Sequence, residues 1–205
     1  MKNSIFMGML FVFICCFSTN TIRQKQSEHL SKTEREIINH FLNSELNSER
    51  YKSYSNFGIT IIEEALKSQK SINSYEYTYN YLYESEKDKD YWVLNHIQIE
   101  KIKSKLEDEK QHYWEKENFD NSSIHLLKYD SLRQIIRTNK YIDLPSQLII
   151  YLSKPLIINK NNALLSYDIG NSKLGFNPII HTTVLMKKEK GKWYKSTNFE
   201  DGTYN

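Results

Sequence analysis

Cysteine is almost absent from this chain. Of its 205 residues only two are cysteines, Cys15 and Cys16, and they are adjacent near the N-terminus. The rest of the chain therefore has no intrachain disulfide and no cysteine-based metal site.

The motifs by which many enzymes are recognised are also missing. The chain has six glycines and three prolines, and it contains no glycine-rich phosphate loop, no G-x-S-x-G elbow and no H-E-x-x-H zinc motif. We therefore predict no cofactor and no metal, and we assign no catalytic residue.

Blocks of one charge sign are lacking as well. The net charge is +3, and lysines alternate with acidic residues along the chain. Because nucleic-acid binding requires a concentrated basic patch, no nucleic-acid partner is expected.

The N-terminus has the pattern of a secretory signal. Lys2 precedes an apolar stretch from Ile5 to Phe17, and small or polar residues follow from Ser18. A transmembrane helix needs about 20 apolar residues, so this stretch is too short to remain as one. We predict a signal peptide at 1–18, a flexible tether at 19–30 and one domain at 31–205.

Cys16 leaves two routes of processing open. A lipoprotein peptidase that cuts before Cys16 would leave it lipidated, whereas cleavage after Ser18 would release a soluble protein. Either route places the protein outside the cytoplasm: in the periplasm, anchored to the outer membrane, or secreted. A lipid anchor is the only membrane contact that we expect.

The first part of the domain is predicted to be helical. Ser31 and Glu34 form a capping box, and apolar residues follow at helical spacing to about Arg50. Further helices are expected from Ile59 to Lys67, from Tyr91 to about Lys110 with Asp90 as its N-cap, and after Asp130. Trp114 and Phe119 are expected to be buried.

A row of tyrosines is the most unusual feature of the middle of the chain. The spacing leaves helix and strand open for this segment: a helix would scatter the rings, whereas a strand would place all of them on one face, which suits a platform for a carbohydrate or a peptide. Packing against a helix is the plainer explanation of the same pattern. The row, our candidate binding surface, comprises Tyr75, Tyr77, Tyr79, Tyr81 and Tyr83.

The C-terminal part is predicted to be β-structure. A strand from Leu148 to Leu152 precedes two hairpins, and the second hairpin turns at Gly191. The predicted fold is α+β, with N-terminal helices packed on a C-terminal antiparallel sheet of hairpins. A nuclear-transport-factor-like (NTF2-like) or cystatin-like cone is the alternative.

Three C-terminal segments resemble uncharacterised exported proteins and lipoproteins of the Bacteroidota. They are Leu152–Ile158 with its Ser-x-Pro strand, Asn162–Tyr167 with Ala-Leu, and Lys187–Trp193 with Gly-Lys-Trp. The resemblance covers about the last third of the chain. It implies an extracytoplasmic location and no particular activity.

Two pairs of polar residues are spaced for chemistry. His96 and Glu100 lie four residues apart on a predicted helix, although such a pair is usually a solvated helix face. His181 and Asp168 would meet, together with Tyr167, if their strands pair. Neither pair has an identifiable nucleophile, so neither is assigned as a site.

These features favour a non-enzymatic binding or accessory domain of the cell envelope. Its partner would be an envelope protein or a glycan. An envelope hydrolase whose site forms only in three dimensions is one alternative, and a periplasmic inhibitor or immunity protein is another. The oligomeric state is not predicted.

Overall fold

Seven strands of the described chain form one open sheet, and helices cover both of its faces. The computed structural model describes residues 29–54 and 58–202, so the signal peptide, Cys16 and most of the tether lie outside the described residues. The helices are α1 (Lys32–Leu46), α2 (Ser68–Glu86), α3 (His96–Leu106) and α4 (Tyr129–Arg137). The strands are β1 (Ile59–Ile62), β2 (Ile124–Leu127), β3 (Leu148–Leu152), β4 (Leu156–Asn159), β5 (Asn162–Asn171), β6 (Pro178–Glu189) and β7 (Lys192–Phe199).

The sheet is mixed rather than wholly antiparallel. Its strand order is β2-β1-β3-β5-β6-β7, with β4 also paired to β5. Strand β1 is parallel to both of its neighbours, β2 and β3, and the remaining pairs are antiparallel. The parallel pairs were not predicted. They arise because helices rather than tight turns join β1 to β2 and β2 to β3.

The C-terminal half agrees with the prediction. The pairs β4–β5 and β6–β7 are antiparallel hairpins. The turn of the second hairpin has positive φ at both Lys190 (48°) and Gly191 (82°). Two positive φ values in succession match the twist of a tight hairpin, and glycine adopts one of them without strain.

Helix α1 follows from its sequence pattern. The Ser31 hydroxyl accepts a hydrogen bond from the Glu34 amide at 3.2 Å, and the Glu34 carboxylate accepts one from the Ser31 amide at 2.7 Å. Its buried residues Phe41 and Leu42 lie in a hydrophobic core with Tyr167, whose ring is 4.6 Å from that of Phe41. Trp114 and Phe119 are buried in the same core, as predicted.

Two predicted helices are corrected. Residues 59–62 form the central strand β1 instead of a helix, because their β-branched side chains are buried between β2 and β3. Helix α3 begins at His96 with Asn95 as its N-cap, five residues later than predicted. Asp90 is not a cap; its carboxylate accepts a hydrogen bond from Lys187 at 2.6 Å.

The tyrosine row lies on a helix, which settles the choice between helix and strand that its spacing left open. Residues 75–83 belong to α2, which extends over 19 residues. A two-residue repeat also contains a four-residue repeat, so alternate residues fall into two rows of i,i+4 neighbours on a helix.

A carboxylate from another part of the chain caps the start of α2. Lys67 precedes the helix without making a side-chain cap. Glu109 supplies it: its two carboxylate oxygens accept hydrogen bonds from the amides of Ser68 (2.9 Å) and Gln69 (3.3 Å). The carboxylate thus satisfies free N–H groups and lies at the positive end of the helix dipole.

Removal of this cap is expected to destabilise the protein moderately. Glu109→Ala should lower the free energy of unfolding by about 1 kcal/mol, the usual effect of losing an N-cap. Urea denaturation measures this loss of stability. Glu107→Ala, which truncates an exposed glutamate two residues away, is the control. Equal midpoints for the two variants would contradict the capping role.

The two faces of the sheet are covered differently. Helix α1 covers the face that carries Leu165 and Val184. On the opposite face, α2 and α3 pack over Leu164 and Leu185, whereas α4 packs over Ile149. A stretch of sheet between α2 and α4 therefore remains open. No helix of the described residues is long and apolar enough to span a membrane.

Candidate functional site: a groove beside a helix

The open stretch of sheet forms the floor of a groove of about 520 Å³. Its floor contains Ile62 of β1, Tyr151 of β3 and Asp168 of β5, and α4 forms one wall. A loop after β5 closes one end. The other lining residues are Glu64, Leu66, Tyr129, Arg133, Ile136, Gly175, Phe176, Asn177 and Pro178. Apolar walls with a few polar groups are typical of a ligand site of this size.

A larger cavity, of about 840 Å³, lies near the start of α2. Six of the twelve residues that line it are charged, and three of these already serve the fold. Glu109 caps α2, and Lys154 forms an ion pair with Glu34 at 3.6 Å. The smaller groove is therefore the better candidate for ligand binding.

Asp168 lies at the centre of a partly buried charge cluster. Its carboxylate is 2.6 Å from the Lys70 ammonium and 3.3 Å from Nδ1 of His181. Lys70 is also 3.7 Å from the carboxylate of Asp201. The cluster joins α2, β5, β6 and the segment after β7 at the edge of the groove.

The strands that carry Asp168 and His181 do pair, and the two residues lie directly opposite each other. Tyr167 does not join them. Successive residues of a strand point to opposite faces, so Tyr167 lies in the core beneath α1. Tyr151 is instead the tyrosine nearest to this pair in the sheet, since it pairs with Asp168 across β3 and β5.

Hydroxyl groups continue from this cluster beneath α2. The Ser166 hydroxyl is 2.8 Å from that of Ser71 and 2.6 Å from that of Thr183, and the Ser166 amide donates to the Ser153 hydroxyl at 2.9 Å. All four side chains are fully buried. This network holds α2 on the sheet in one position. The sequence analysis did not predict this hydroxyl network. The only sequence signal for it is that Ser166 lies among the apolar residues of β5.

The loop that closes the groove has an unusual backbone. Gly175 and Phe176 both have positive φ, 67° and 61°. The Phe176 side chain is nevertheless buried, with only 3% of its surface exposed. The loop folds back on Gly170, where a Cβ atom would come within 3.1 Å of the Phe176 carbonyl oxygen. A bulky residue with positive φ is strained, and the burial of its ring offsets that strain.

Charged groups on α4 and in the segment after β1 complete the groove. The Arg133 guanidinium lies 5.8 Å from the centre of the Tyr129 ring. The Glu64 carboxylate accepts a hydrogen bond from the Tyr129 amide at 2.7 Å. Burial raises the pKa of Tyr151 to about 12, helped by the nearby Tyr129 and Asp168, so this phenol stays protonated at neutral pH.

His96 and Glu100 lie together on α3, and Glu76 of α2 joins them with ligand atoms within 4.8 Å of one another. Lys103 already binds both carboxylates, at 2.9 Å from Glu76 and 3.2 Å from Glu100. Hydrogen bonds to Glu76 and Glu100 raise the pKa of Lys103. The group is an ion-pair network between α2 and α3, and a metal ion would have to displace Lys103 from it.

The five tyrosines of α2 divide into two stacks. Tyr75, Tyr79 and Tyr83 pack around Trp92, and Tyr75 is fully buried with its hydroxyl bonded to Leu94. Tyr77 and Tyr81 form the second stack, with ring centres 4.7 Å apart. Tyr81 is 71% exposed. The five rings therefore do not share one face, and binding through the outer pair stays a prediction.

Comparison with known proteins gave no match: no family model fits the chain, and no curated protein and no solved structure is significantly similar to it. We therefore infer a function from the groove and from the N-terminal sequence.

Proposed function

We propose that this chain is an exported cell-envelope protein that binds a ligand in the groove beside α4 and is not an enzyme. The observation that carries the proposal is the groove itself. It has a volume of about 520 Å³ and walls of Tyr129, Tyr151 and Phe176. Aromatic and aliphatic walls supply binding energy, and the few polar groups set the orientation of the ligand.

Binding is favoured over catalysis by the state of the acidic groups. Asp168 is the acid at the floor, and the Lys70 ammonium contacts it at 2.6 Å. This carboxylate is therefore already held in an ion pair inside the fold. Glu64 is likewise engaged, by the Tyr129 amide.

The ligand site can be tested by filling the groove. Ile136→Trp places a large ring at a groove-lining position that is 37% exposed, and Ile157→Trp makes the same change at a 40% exposed position outside the groove. We expect Ile136→Trp to abolish binding on a glycan array and capture from envelope extracts, while Ile157→Trp retains both. Equal binding by both variants would exclude the groove.

Export is supported by the N-terminal sequence, in which Lys2 precedes the apolar stretch from Ile5 to Phe17. Intact mass spectrometry of the protein from its native host tests it. A membrane-bound species that begins at lipidated Cys16 would indicate a lipoprotein, and a soluble species that begins near Thr19 would indicate release. A species that retains Met1 would contradict export.

A hydrolase of the envelope is the second candidate, and it rests on one contact. Nδ1 of His181 lies 3.3 Å from the Asp168 carboxylate, the arrangement that orients a general base. His181 is not among the residues that line the groove. If peptidoglycan or ester hydrolysis is detected and is lost in His181→Gln, this candidate replaces the binding function.

The family and the finer fold remain part of the proposal. The resemblance to exported proteins of the Bacteroidota rests on the segments 152–158, 162–167 and 187–193. A cone of the NTF2-like or cystatin-like kind is supported by the antiparallel pairs β3–β5, β5–β6 and β6–β7 and by a groove on one face of them.

A further inference from the structure

We infer that the groove takes a small molecule in which a carboxylate is attached to an apolar body, and that Arg133 binds the carboxylate. This inference rests on the proposed binding function and specifies its ligand. The charged groups of the groove are Glu64, Asp168 and Arg133, and they differ in the hydrogen-bonding capacity that remains to them.

The acids of the groove already have donors. Asp168 accepts a hydrogen bond from the Lys70 ammonium, and Glu64 accepts one from the backbone amide of Tyr129, the first residue of α4. A cationic ligand would have to compete with both of these internal partners. Because the competing donors are attached to the fold, they lose little entropy when they bind, and an external amine is disfavoured.

Arg133 differs from these acids. Of the groove-lining residues that the structure describes, it alone carries a positive charge. Its side chain is 47% exposed, and its ion pair with Asp130 is 3.9 Å long and involves a carboxylate that is 88% exposed. Such a surface pair is weak, so most of the five N–H donors of the guanidinium remain available.

The guanidinium is also held in position. It lies 5.8 Å from the centre of the Tyr129 ring, a distance at which the face of the ring attracts a cation. This contact occupies the aromatic face that an organic cation would need. It also reduces the entropy that Arg133 loses on binding, and a planar guanidinium suits the two oxygens of a carboxylate.

The charge of the groove favours a monoanion. Its lining holds the carboxylates of Glu64 and Asp168 beside the single guanidinium. Because Lys70 offsets the charge of Asp168, the uncompensated acid is Glu64, and it would repel a phosphate, with nearly two negative charges, more strongly than a carboxylate. The apolar body of the ligand would lie against Tyr151, Phe176 and Ile136, which form most of the remaining wall.

The test uses the exported protein and simple probes in isothermal titration calorimetry. N-acetylphenylalanine is expected to bind, and its amide, phenyl phosphate and (2-phenylethyl)trimethylammonium are each expected to bind at least about tenfold more weakly. Arg133→Met should weaken the binding of N-acetylphenylalanine by about tenfold and leave the affinity for the amide unchanged. Arg137→Met, one turn further along α4 and outside the groove, is the matched control and should bind like the wild type.

Other outcomes overturn the inference. Equal affinity for the acid and the amide, or tighter binding of the ammonium or the phosphate, would show that a carboxylate is not recognised. Preference for a peptide that ends in phenylalanine over the single amino acid would assign a peptide as the ligand and exclude a free acid.

Failure of the inference is distinguishable from failure of the proposed function. If no probe binds but Ile136→Trp still abolishes capture of an envelope component, the groove function stands and the carboxylate assignment fails. If the groove-filling variant has no effect on any binding, both fail.

Discussion

Lys70→Met is expected to destabilise the protein by about 3 kcal/mol, because it leaves partly buried negative charge without its partner. Lys70 contacts Asp168 at 2.6 Å and Asp201 at 3.7 Å, and the side chains of the three residues are 11–23% exposed. Without the ammonium, His181 is the one ionisable side chain of the described residues that still contacts Asp168. Urea denaturation at neutral pH should show a lower midpoint with an unchanged slope.

Two further variants make this result specific. Lys101→Met removes an exposed lysine of α3 and should change the free energy of unfolding by less than about 0.5 kcal/mol. The double variant Lys70→Met with Asp168→Asn should be more stable than Lys70→Met alone, since the buried charge is removed together with its partner. If the double variant is the less stable of the two, the effect is due to lost packing of the lysine stem and not to charge.

The elements that were correctly predicted are those that local rules determine. The capping box at Ser31 and the apolar spacing to Leu46 define α1 without help from the rest of the chain. The hairpin of β6 and β7 likewise depends on a turn at Gly191 and on its own flanking residues. In these segments the local preference and the tertiary environment agree.

The errors occurred where tertiary contacts decide. Ile59–Ile62 is a short apolar segment, and its length and composition fit a buried helix turn as well as a central strand. Its position between two parallel strands depends on residues about 60 to 90 positions away. The tyrosine row was ambiguous for another reason, since a period of two is compatible with i,i+4 stacking around Trp92 on a helix.

Only a fragment of the candidate site could be obtained from the sequence. The pairing of Asp168 with His181 follows from the register of one hairpin-like strand pair, and it was foreseen as conditional on that pairing. The groove itself could not be foreseen. Its floor and wall come from β1, β3, β5 and α4, and the strand order that brings Ile62 next to Tyr151 is a property of the whole sheet.

Alkaline pH is expected to destabilise the protein strongly through its buried tyrosines. Burial raises the pKa of Tyr75 and of Tyr151 to about 12, and it raises that of Tyr167 as well. An unfolded tyrosine has a pKa of about 10. Between these pH values the unfolded chain loses phenolic protons that the folded chain keeps. The contribution of these tyrosines to the free energy of unfolding is therefore fully present below about pH 10, and it is lost as the pH rises through about 12. The loss from Tyr75 should be about 2 kcal/mol, and that from the half-buried Tyr151 should be smaller because water screens its charge.

Substitution by phenylalanine separates this effect from the deprotonation of lysines in the same pH range. Tyr151→Phe cannot ionise at this position, so its free energy of unfolding should improve relative to the wild type as the pH is raised from about 9 to 11. Tyr81→Phe, at a ring that is 71% exposed, should follow the wild type at every pH. Urea denaturation measures the stability, and absorbance of phenolate near 295 nm reports ionisation. If Tyr151→Phe and Tyr81→Phe show the same pH dependence, Tyr151 ionises as readily in the folded protein as in the unfolded chain, and the floor of the groove is more hydrated than its packing against α4 implies.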